Sequence, residues 1–253
     1  MDRPESQIPL DEAALIIAGT ADPTVHIPGE IDRLDGLAEQ IDRPDAEGVS
    51  HFVFDVLGLQ GDRQTYDDPE NSYLHRVLDR RLGIPISLSV LLIELARRRG
   101  VTLQGIGMPG HFLVRDPSEP DLLIDAFSGG SRLDYAACSK LVHAVIGDEF
   151  EFHPGMLAPV GPVAILSRML ANLNASFGRR KDKIGLLWIL RLQAAVPGVP
   201  LATRIELANG LARIGQIDEA SALLEELASE PATSAEAAQL LRTRSRGLLA
   251  PFN

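Results

Sequence analysis

The sequence predicts an α+β fold in which one buried helix lies on an antiparallel sheet, followed by an all-α tail. Three observations carry this expectation. Between Pro85 and Arg99 the apolar residues Ile86, Leu88, Val90, Leu91, Leu92, Ile93, Leu95 and Ala96 cover every side of a helical wheel, the mark of a helix buried on nearly all faces. Three runs of strand character follow it, separated only by the turn sequences MPGH and DPSEP, and such close spacing favours antiparallel neighbours over crossovers. From Pro162 onward no convincing strand pattern appears.

The elements can be justified in order. Leu10 to Gly19, Glu30 to Ile41 and Ala46 to Leu57 alternate apolar and acidic groups in helical steps, with Pro23, Pro28 and Pro44 at the breaks. Gly58 to Ser72 is polar and rich in glycine and acidic groups, and reads as an ordered loop. A helix is expected next, capped by Asn71 or Ser72. The buried helix closes with Arg97, Arg98, Arg99 and Gly100, cations for the negative end of the dipole and a glycine for the left-handed cap. Strands are expected over Val101 to Met108, Phe112 to Arg115 and Asp121 to Phe127, and the chain returns to helix from Arg132.

In the tail, Asp182 to Arg246, Trp188, Leu190, Leu192 and Ala195 lead up to Pro197. Leu207, Gly210, Leu211, Gly215, Ala220 and Leu224 then repeat as two helices joined at Gly215 would require. One repeat and part of a neighbour are fewer than the three or so that a free-standing solenoid needs, so the first domain or another copy of the chain is expected to cover the apolar faces. The expected division is a first domain over residues 1–160 and a helical region over 161–253.

Composition narrows the function classes. A formal net charge of −11 repels phosphate backbones and anionic lipid, so neither nucleic acid nor a membrane is an expected partner. The single cysteine, Cys138, cannot form an internal disulfide and suits a reducing compartment. The opening MDRPESQIPLDEAALIIAGT carries acid where a leader carries base, and its apolar run Ala13 to Ala18 is short. The expected location is the cytoplasm. Stretches such as SVLLIELA fall well below the roughly 18 residues that cross a bilayer.

The segment NSYLHRVLDRRLGIPISLSVLLIELARRRGVTLQGIGMPGHFLVR resembles the bacterial SirB-type transglutaminase-like proteins, in which such a domain precedes tetratricopeptide helices. Asn71, Gly83, Ile84, Pro85, Ser87, Ser89, Gly110, His111, Phe112, Asp125 and Phe127 fall on that family's pattern. The likeness is closest over Asn71 to Gly130; MLANLNASF and the helical tail extend it to roughly residues 45 to 225. It implies a papain-like core. In active enzymes of this kind a cysteine heads the buried helix, where free N–H groups and the dipole favour its thiolate; a histidine takes its proton and an aspartate orients the imidazole. The resemblance implies that His111 and Asp125 fill the last two places. Their order and their positions at corresponding ends of adjacent predicted strands support the pairing independently.

The nucleophile is missing. Pro85 of Gly83-Ile84-Pro85 stands where the sulfur should be, and its ring has nothing to ionise. Cys138, within YAACSKLV, reads as a small core residue. Ser89 follows Pro85 by one helical turn, whereas Ser87 is rotated by about 200° from it. A hydroxyl needs stronger activation than a thiol. Both serines also have plain readings, Ser87 as a bond to free N–H groups of the first turn and Ser89 as a small residue at a tight contact. His111 taken alone could serve ordinary hydrogen bonding, and Asp125 a turn or cap.

His26, His51, His75, His143 and His153 show no metal-ligand spacing, so no metal is expected, and His75 alone falls inside the matched segment. Arg76, Asp79, Arg80 and Arg81 read as a solvated helix face with local ion pairs. GIGMPGH lacks the helix and lysine of a phosphate loop, and no cofactor is expected. The favoured function is a non-catalytic module that binds a peptide or protein through the cleft and the helical tail, with Asn71, His75, Pro85 and Ser89 as binding residues. The alternative is a serine-dependent hydrolase or acyltransferase using Ser87 or Ser89 with His111 and Asp125. A purely structural or assembly protein is the third reading, and the oligomeric state stays open.

Overall fold

The computed structural model describes residues 8–196 and 198–250. The first seven residues, used above in reading the N-terminus, and Pro197, expected to end a tail helix, lie outside the described residues. The chain divides into two compact units, Met1–Asn172 and Leu173–Asn253.

The first unit opens with α1 (Leu10–Ala21), α2 (Ile27–Glu39) and α3 (Ala46–His51). Asp45 caps α3 by accepting from the Gly48 N–H at 2.7 Å. Where the pattern predicts α-helix to Leu57, the chain instead widens into a π-helical turn, Phe52–Val56. Three consecutive apolar side chains, Phe52, Val53 and Phe54, are buried within this wider turn.

The segment expected to be loop contains structure of its own. β1 (Gln60–Gly61) pairs in parallel with β2 (Leu82–Gly83), and Pro69–Ser72 forms a 3₁₀ turn. The next helix, α4 (Leu74–Arg80), starts after Tyr73, with no side-chain cap. Asn71 and Ser72 cannot serve as caps because they belong to the preceding turn. Arg81 closes α4 at φ +58°, in the left-handed region where glycine is usual.

α5 (Pro85–Arg98) is the core helix. Ile86, Leu88, Val90, Leu91, Leu92 and Leu95 are wholly buried, each such side chain contributing about 1.5–3 kcal/mol. α1, α2, α3 and α4 pack against it, as do two strands of the sheet. Its closing arginines do more than complement a dipole. Arg98 is held by Asp11 from α1, Asp35 from α2 at 2.6 Å and Glu94 at 3.1 Å, and Arg97 meets Glu94 at 2.8 Å. Burial raises the pKa of Glu94, and the neighbouring Asp11 raises it further. Burial also acts upward on Asp11, but the hydrogen bonds from Arg98 and the Glu12 N–H and the charges of Arg98 and Arg97 together outweigh it and leave its pKa lowered.

The sheet has five antiparallel strands in the order β6-β5-β4-β3-β7: β3 (Gln104–Ile106), β4 (Leu113–Arg115), β5 (Leu123–Asp125), β6 (Ser131–Leu133) and β7 (Pro159–Val160). The register sets Gly105 against Val114, Val114 against Ile124 and Ile124 against Arg132. The pattern anticipates the middle three strands at greater length and misses the outer two. Arg132, expected to begin a helical stretch, lies in β6 with Ser131 and itself exposed; β7 is a two-residue edge that starts at proline. The two-residue period then divides the faces. Phe112, Val114, Ile124 and Ala126 join the core around α5, while Leu113 and Leu123 join Ile106, Met108, Cys138 and Val142, the last two from α6 (Tyr135–Ile146). Helix α7 (Pro162–Arg180) follows.

The second unit contains α8 (Lys183–Ala194), α9 (Leu201–Arg213), α10 (Ile217–Ser229) and α11 (Ala235–Leu249), packed in succession. Leu187, Leu190, Leu207, Leu211 and Ala220 make one apolar layer; Ala208, Leu224, Leu227, Ala228, Ala238 and Leu241 make the next. Gly215, at φ +86°, turns the chain between α9 and α10, and a Cβ on Gly210 would fall 3.2 Å from Leu190. Among the described residues no strand follows Pro162, and no helix is long and apolar enough to cross a membrane.

Candidate functional site

The antiparallel pairing of β4 and β5 sets the start of one strand beside the end of the other. His111 stands two residues before β4, in the turn rather than on the strand, and Asp125 is the last residue of β5. His111 Nε2 lies 2.8 Å from Asp125 Oδ1, with both side chains buried. The same carboxylate oxygen accepts the N–H groups of Phe127 at 3.0 Å and Ser128 at 3.3 Å, so Asp125 also caps the 3₁₀ turn Ala126–Ser128. Burial alone would raise the pKa of Asp125, but the bond and charge of His111 and the Ser128 contacts outweigh it and hold the carboxyl low. With the carboxylate ionised, Nε2 donates the proton of this bond. Nδ1 has no hydrogen-bond partner among the described residues.

The head of α5 is tied to this pair through two glycines and one ring. Gly83 precedes the helix and pairs with Gly61 in the β1–β2 ribbon. A Cβ on Gly61 would fall 2.5 Å from the Phe127 ring, so only glycine fits there. Phe127 in turn presents its ring to His111, with centroids 6.1 Å apart in an edge arrangement, and to Tyr66 at 5.8 Å. A cavity of about 670 Å3 adjoins it, lined by Asp62, Arg63, Gln64, Thr65, Phe127 and Ser128 among others.

The loop that walls this cavity is fixed from inside. The Asp62 carboxylate accepts from the Gln64 N–H at 3.0 Å, the Thr65 N–H at 2.7 Å, the Thr65 hydroxyl and Asn71 Nδ2 at 3.0 Å. Burial acts upward on Asp62, yet these bonds win and bring its pKa down to about 2. Asn71 also donates to the Thr65 carbonyl at 2.8 Å and accepts from Arg80 at 3.1 Å. Its own carbonyl accepts the Ser87 hydroxyl at 2.6 Å. Arg80 is therefore joined to a buried network, not to the solvated face that its helical spacing predicts, while Arg76 does form surface pairs with Glu70 and Asp79.

Several residues expected to touch a ligand or carry chemistry have other surroundings. Asn71, Pro85, Ser87 and Ser89 are buried, which closes them to direct contact with a bound molecule as the protein stands. Ser87 Oγ accepts the Ile84 N–H at 3.1 Å and donates to Asn71, joining the helix start to the loop. Ser89 Oγ is sealed in the core with no partner. Pro85 is the first residue of α5, where its missing N–H costs nothing. His75 lies in α4 with Nδ1 buried and unpartnered, stacked on Tyr73, and burial pushes its pKa down; its charged neighbours are Glu30, Asp79, Arg76 and Asp22. Cys138 sits on the α6 side of the sheet, and burial pushes its thiol up to about 11.

Three residues beside the pair escape the sequence reading. Arg63 lies over the Phe127 ring, 4.9 Å from the centroid, Tyr66 meets the same ring, and Arg168 of α7 donates to the His111 carbonyl at 2.7 Å. The Asp62-x-x-Thr65 spacing is a legible side-chain turn, and marks how the loop carrying Arg63 and Tyr66 is held.

Comparisons with known proteins give a consistent family. A family profile described as the transglutaminase-like superfamily matches residues 28–171. A UPF0162 protein of Xylella fastidiosa strain 9a5c is 39% identical over 162 residues, covering 62% of this chain and 57% of that protein. Its counterpart in strain Temecula1 is 37% identical over 185 residues, or 71% of this chain and 64% of that protein. The chain thus spans about three fifths of the length of these bacterial relatives. Human F-box only protein 21 is 33% identical over 144 residues, 53% of this chain and 22% of that protein. No solved structure matches the chain. With more than half of its length matched by the profile, the chain belongs to the transglutaminase-like superfamily.

Proposed function

We propose that the protein is a non-catalytic transglutaminase-like module that binds a peptide or protein segment in the cleft beside His111 and Asp125. The observation that carries this reading is the combination of an intact His111–Asp125 pair at 2.8 Å with Pro85 at the head of α5. A histidine is paired with a carboxylate, but Pro85 offers no atom that could form a covalent intermediate. Ser87 counts against a serine enzyme, since its hydroxyl is committed to Asn71 and Ile84. The occurrence of a similar stretch within human F-box only protein 21, where it covers 22% of that protein, agrees with a module that works in different settings. In this reading the protein is of the SirB type, its last four helices form a tetratricopeptide-type surface that itself binds protein, and a reducing cytoplasm keeps Cys138 as a thiol.

The test uses the full chain immobilised over a randomised hexapeptide pool, with retained peptides read by mass spectrometry. Wild type is expected to retain a defined set that the His111→Ala, Asp125→Ala double variant loses. A thiol-directed probe should leave the native protein unlabelled. Labelling of Ser87 or Ser89 by a serine-directed probe would refute the non-catalytic reading.

A further inference from the structure

Among the described residues, no acidic side chain pairs with the charge of Arg168. Its Nη2 donates to the His111 carbonyl at 2.7 Å, and its guanidinium lies 5.6 Å from the centroid of the Phe112 ring. It forms no ion pair among the described residues. Burial pushes its pKa down, and Tyr66 is the one group that pulls the other way. The contrast with Arg98 is internal to the molecule: that guanidinium, also largely withdrawn from water, is met by Asp11, Asp35 and Glu94. Nor is acid scarce, because the chain has 35 acidic residues against 24 lysines and arginines. A half-buried cation left without an anion is costly unless something supplies one. A guanidinium has five donors, and the hydrogen bonding here uses one nitrogen, while none of the others is sealed from solvent.

Its position gives the vacancy a meaning. The His111 backbone that Arg168 holds belongs to the residue paired with Asp125, and the His111 ring abuts Phe127. Arg63 lies over the Phe127 ring and donates to Ser128 Oγ at 3.4 Å, again without an ion pair among the described residues. One cation therefore holds the His111 backbone, and a second lies over the ring that links the His111–Asp125 pair to the cavity. We infer that Arg168 is the anion receptor of this cleft, and that the bound segment presents a carboxylate to it, with Arg63 as the outer cation. The planar fork of the guanidinium matches a carboxylate in two parallel bonds. The carboxylate could be an Asp or Glu side chain or a peptide C-terminus, chemistry that Arg168 would meet in the same way. This inference rests on the peptide-binding reading above and names the group that such a peptide must carry.

The test is a titration of the full chain, labelled with nitrogen-15 in arginine and histidine, followed by NMR through the Arg168 Nε–Hε peak and the His111 ring nitrogens. Arg168→Lys assigns the arginine peak by its loss, and melting followed by circular dichroism checks that this variant is folded. The probes are N-acetylglutamate α-amide, which offers only a side-chain carboxylate, N-acetylalanine, which offers only a terminal one, and neutral N-acetylglutamine α-amide. At least one carboxylate probe should shift both signals to saturation, with half-saturation at about 1–10 mM, in the range expected of a fragment. In Arg168→Lys the His111 shift should need at least about tenfold more probe, because lysine keeps the charge and loses the fork. Whichever carboxylate probe acts identifies the source. Equal shifts from the neutral probe, or no shift from any, would overturn the inference. The hexapeptide pool separates the two readings: a set retained equally by wild type and Arg168→Lys removes the carboxylate assignment and leaves peptide binding standing, whereas retention of no set by wild type removes both.

Discussion

Replacing Ser87 by alanine should destabilise the protein by about 1.5–3 kcal/mol, while replacing Ser89, two residues further along the same helix, should change stability by less than about 1 kcal/mol, or improve it. The magnitudes follow from what each hydroxyl touches. Ser87 Oγ donates to the Asn71 carbonyl at 2.6 Å and accepts the Ile84 N–H at 3.1 Å. Alanine removes both bonds in a site closed to water, and the two backbone groups are left with only their mutual contact of 3.4 Å. Each buried group deprived of a partner costs about 1–3 kcal/mol, and the surviving contact recovers part of this. Ser89 Oγ is equally buried and bonds to nothing, so alanine removes an unsatisfied polar atom from apolar surroundings and leaves a gap of a single oxygen. Urea unfolding of wild type and both variants, followed by far-ultraviolet circular dichroism, measures the pair directly. A neutral Ser87→Ala, or a Ser89→Ala that loses more than about 2 kcal/mol, would refute the assignment of these hydroxyls.

Three further outcomes are expected. Asp62 has its pKa lowered from 3.8 to about 2, so its contribution to stability is complete above the unfolded value and is lost as pH falls from 3.8 through about 2; Asp62→Asn should flatten the acid limb of a stability profile measured over that window. Cys138, with a thiol raised to about 11, should resist iodoacetamide at pH 8, where about one thiol in a thousand is ionised, and should react within minutes in denaturant; rapid labelling of the native protein, read by mass spectrometry, would contradict its placement. Gly61→Ala should lose about 1–3 kcal/mol and displace the Phe127 resonances, since its Cβ would sit 2.5 Å from that ring; unchanged urea unfolding would show that the approach is looser.

How far the sequence discloses this molecule depends on how local each cause is. α5 is legible because eleven of its residues are buried, Pro85 to Leu92 without a break, and that writes an all-round apolar wheel. β4 and β5 are legible from turn chemistry on either side. β6 and β7 are not, since three residues with two exposed, and two residues beginning at proline, carry no alternation to detect. Asn71 shows the ambiguity of residue type: the amide that reads as a cap serves instead as the centre of a buried network reaching Asp62, Thr65, Arg80 and Ser87, partners assembled from separate segments. The pairing of His111 with Asp125 could be anticipated because both lie at matching ends of adjacent strands. Arg168 could not, because 57 residues separate it from the carbonyl that it holds, and no periodicity spans that distance.

The inner bracing of the loop beside Phe127 also bears on how fast the cleft can be filled. Residues 60–71 are pinned to the helix start by the ribbon of Gly61 and Gly83, to themselves by Asp62, and to Ser87 by Asn71. Ordering a free loop costs roughly 1–2 kcal/mol per residue, and here folding has already met that cost before any ligand arrives. Under the proposed peptide-binding reading, a ligand meeting this wall waits for no ordering of the loop, so its association rate is expected near the ordinary docking range of about 10⁵–10⁷ M⁻¹s⁻¹, and differences in affinity among ligands should appear in how slowly they leave.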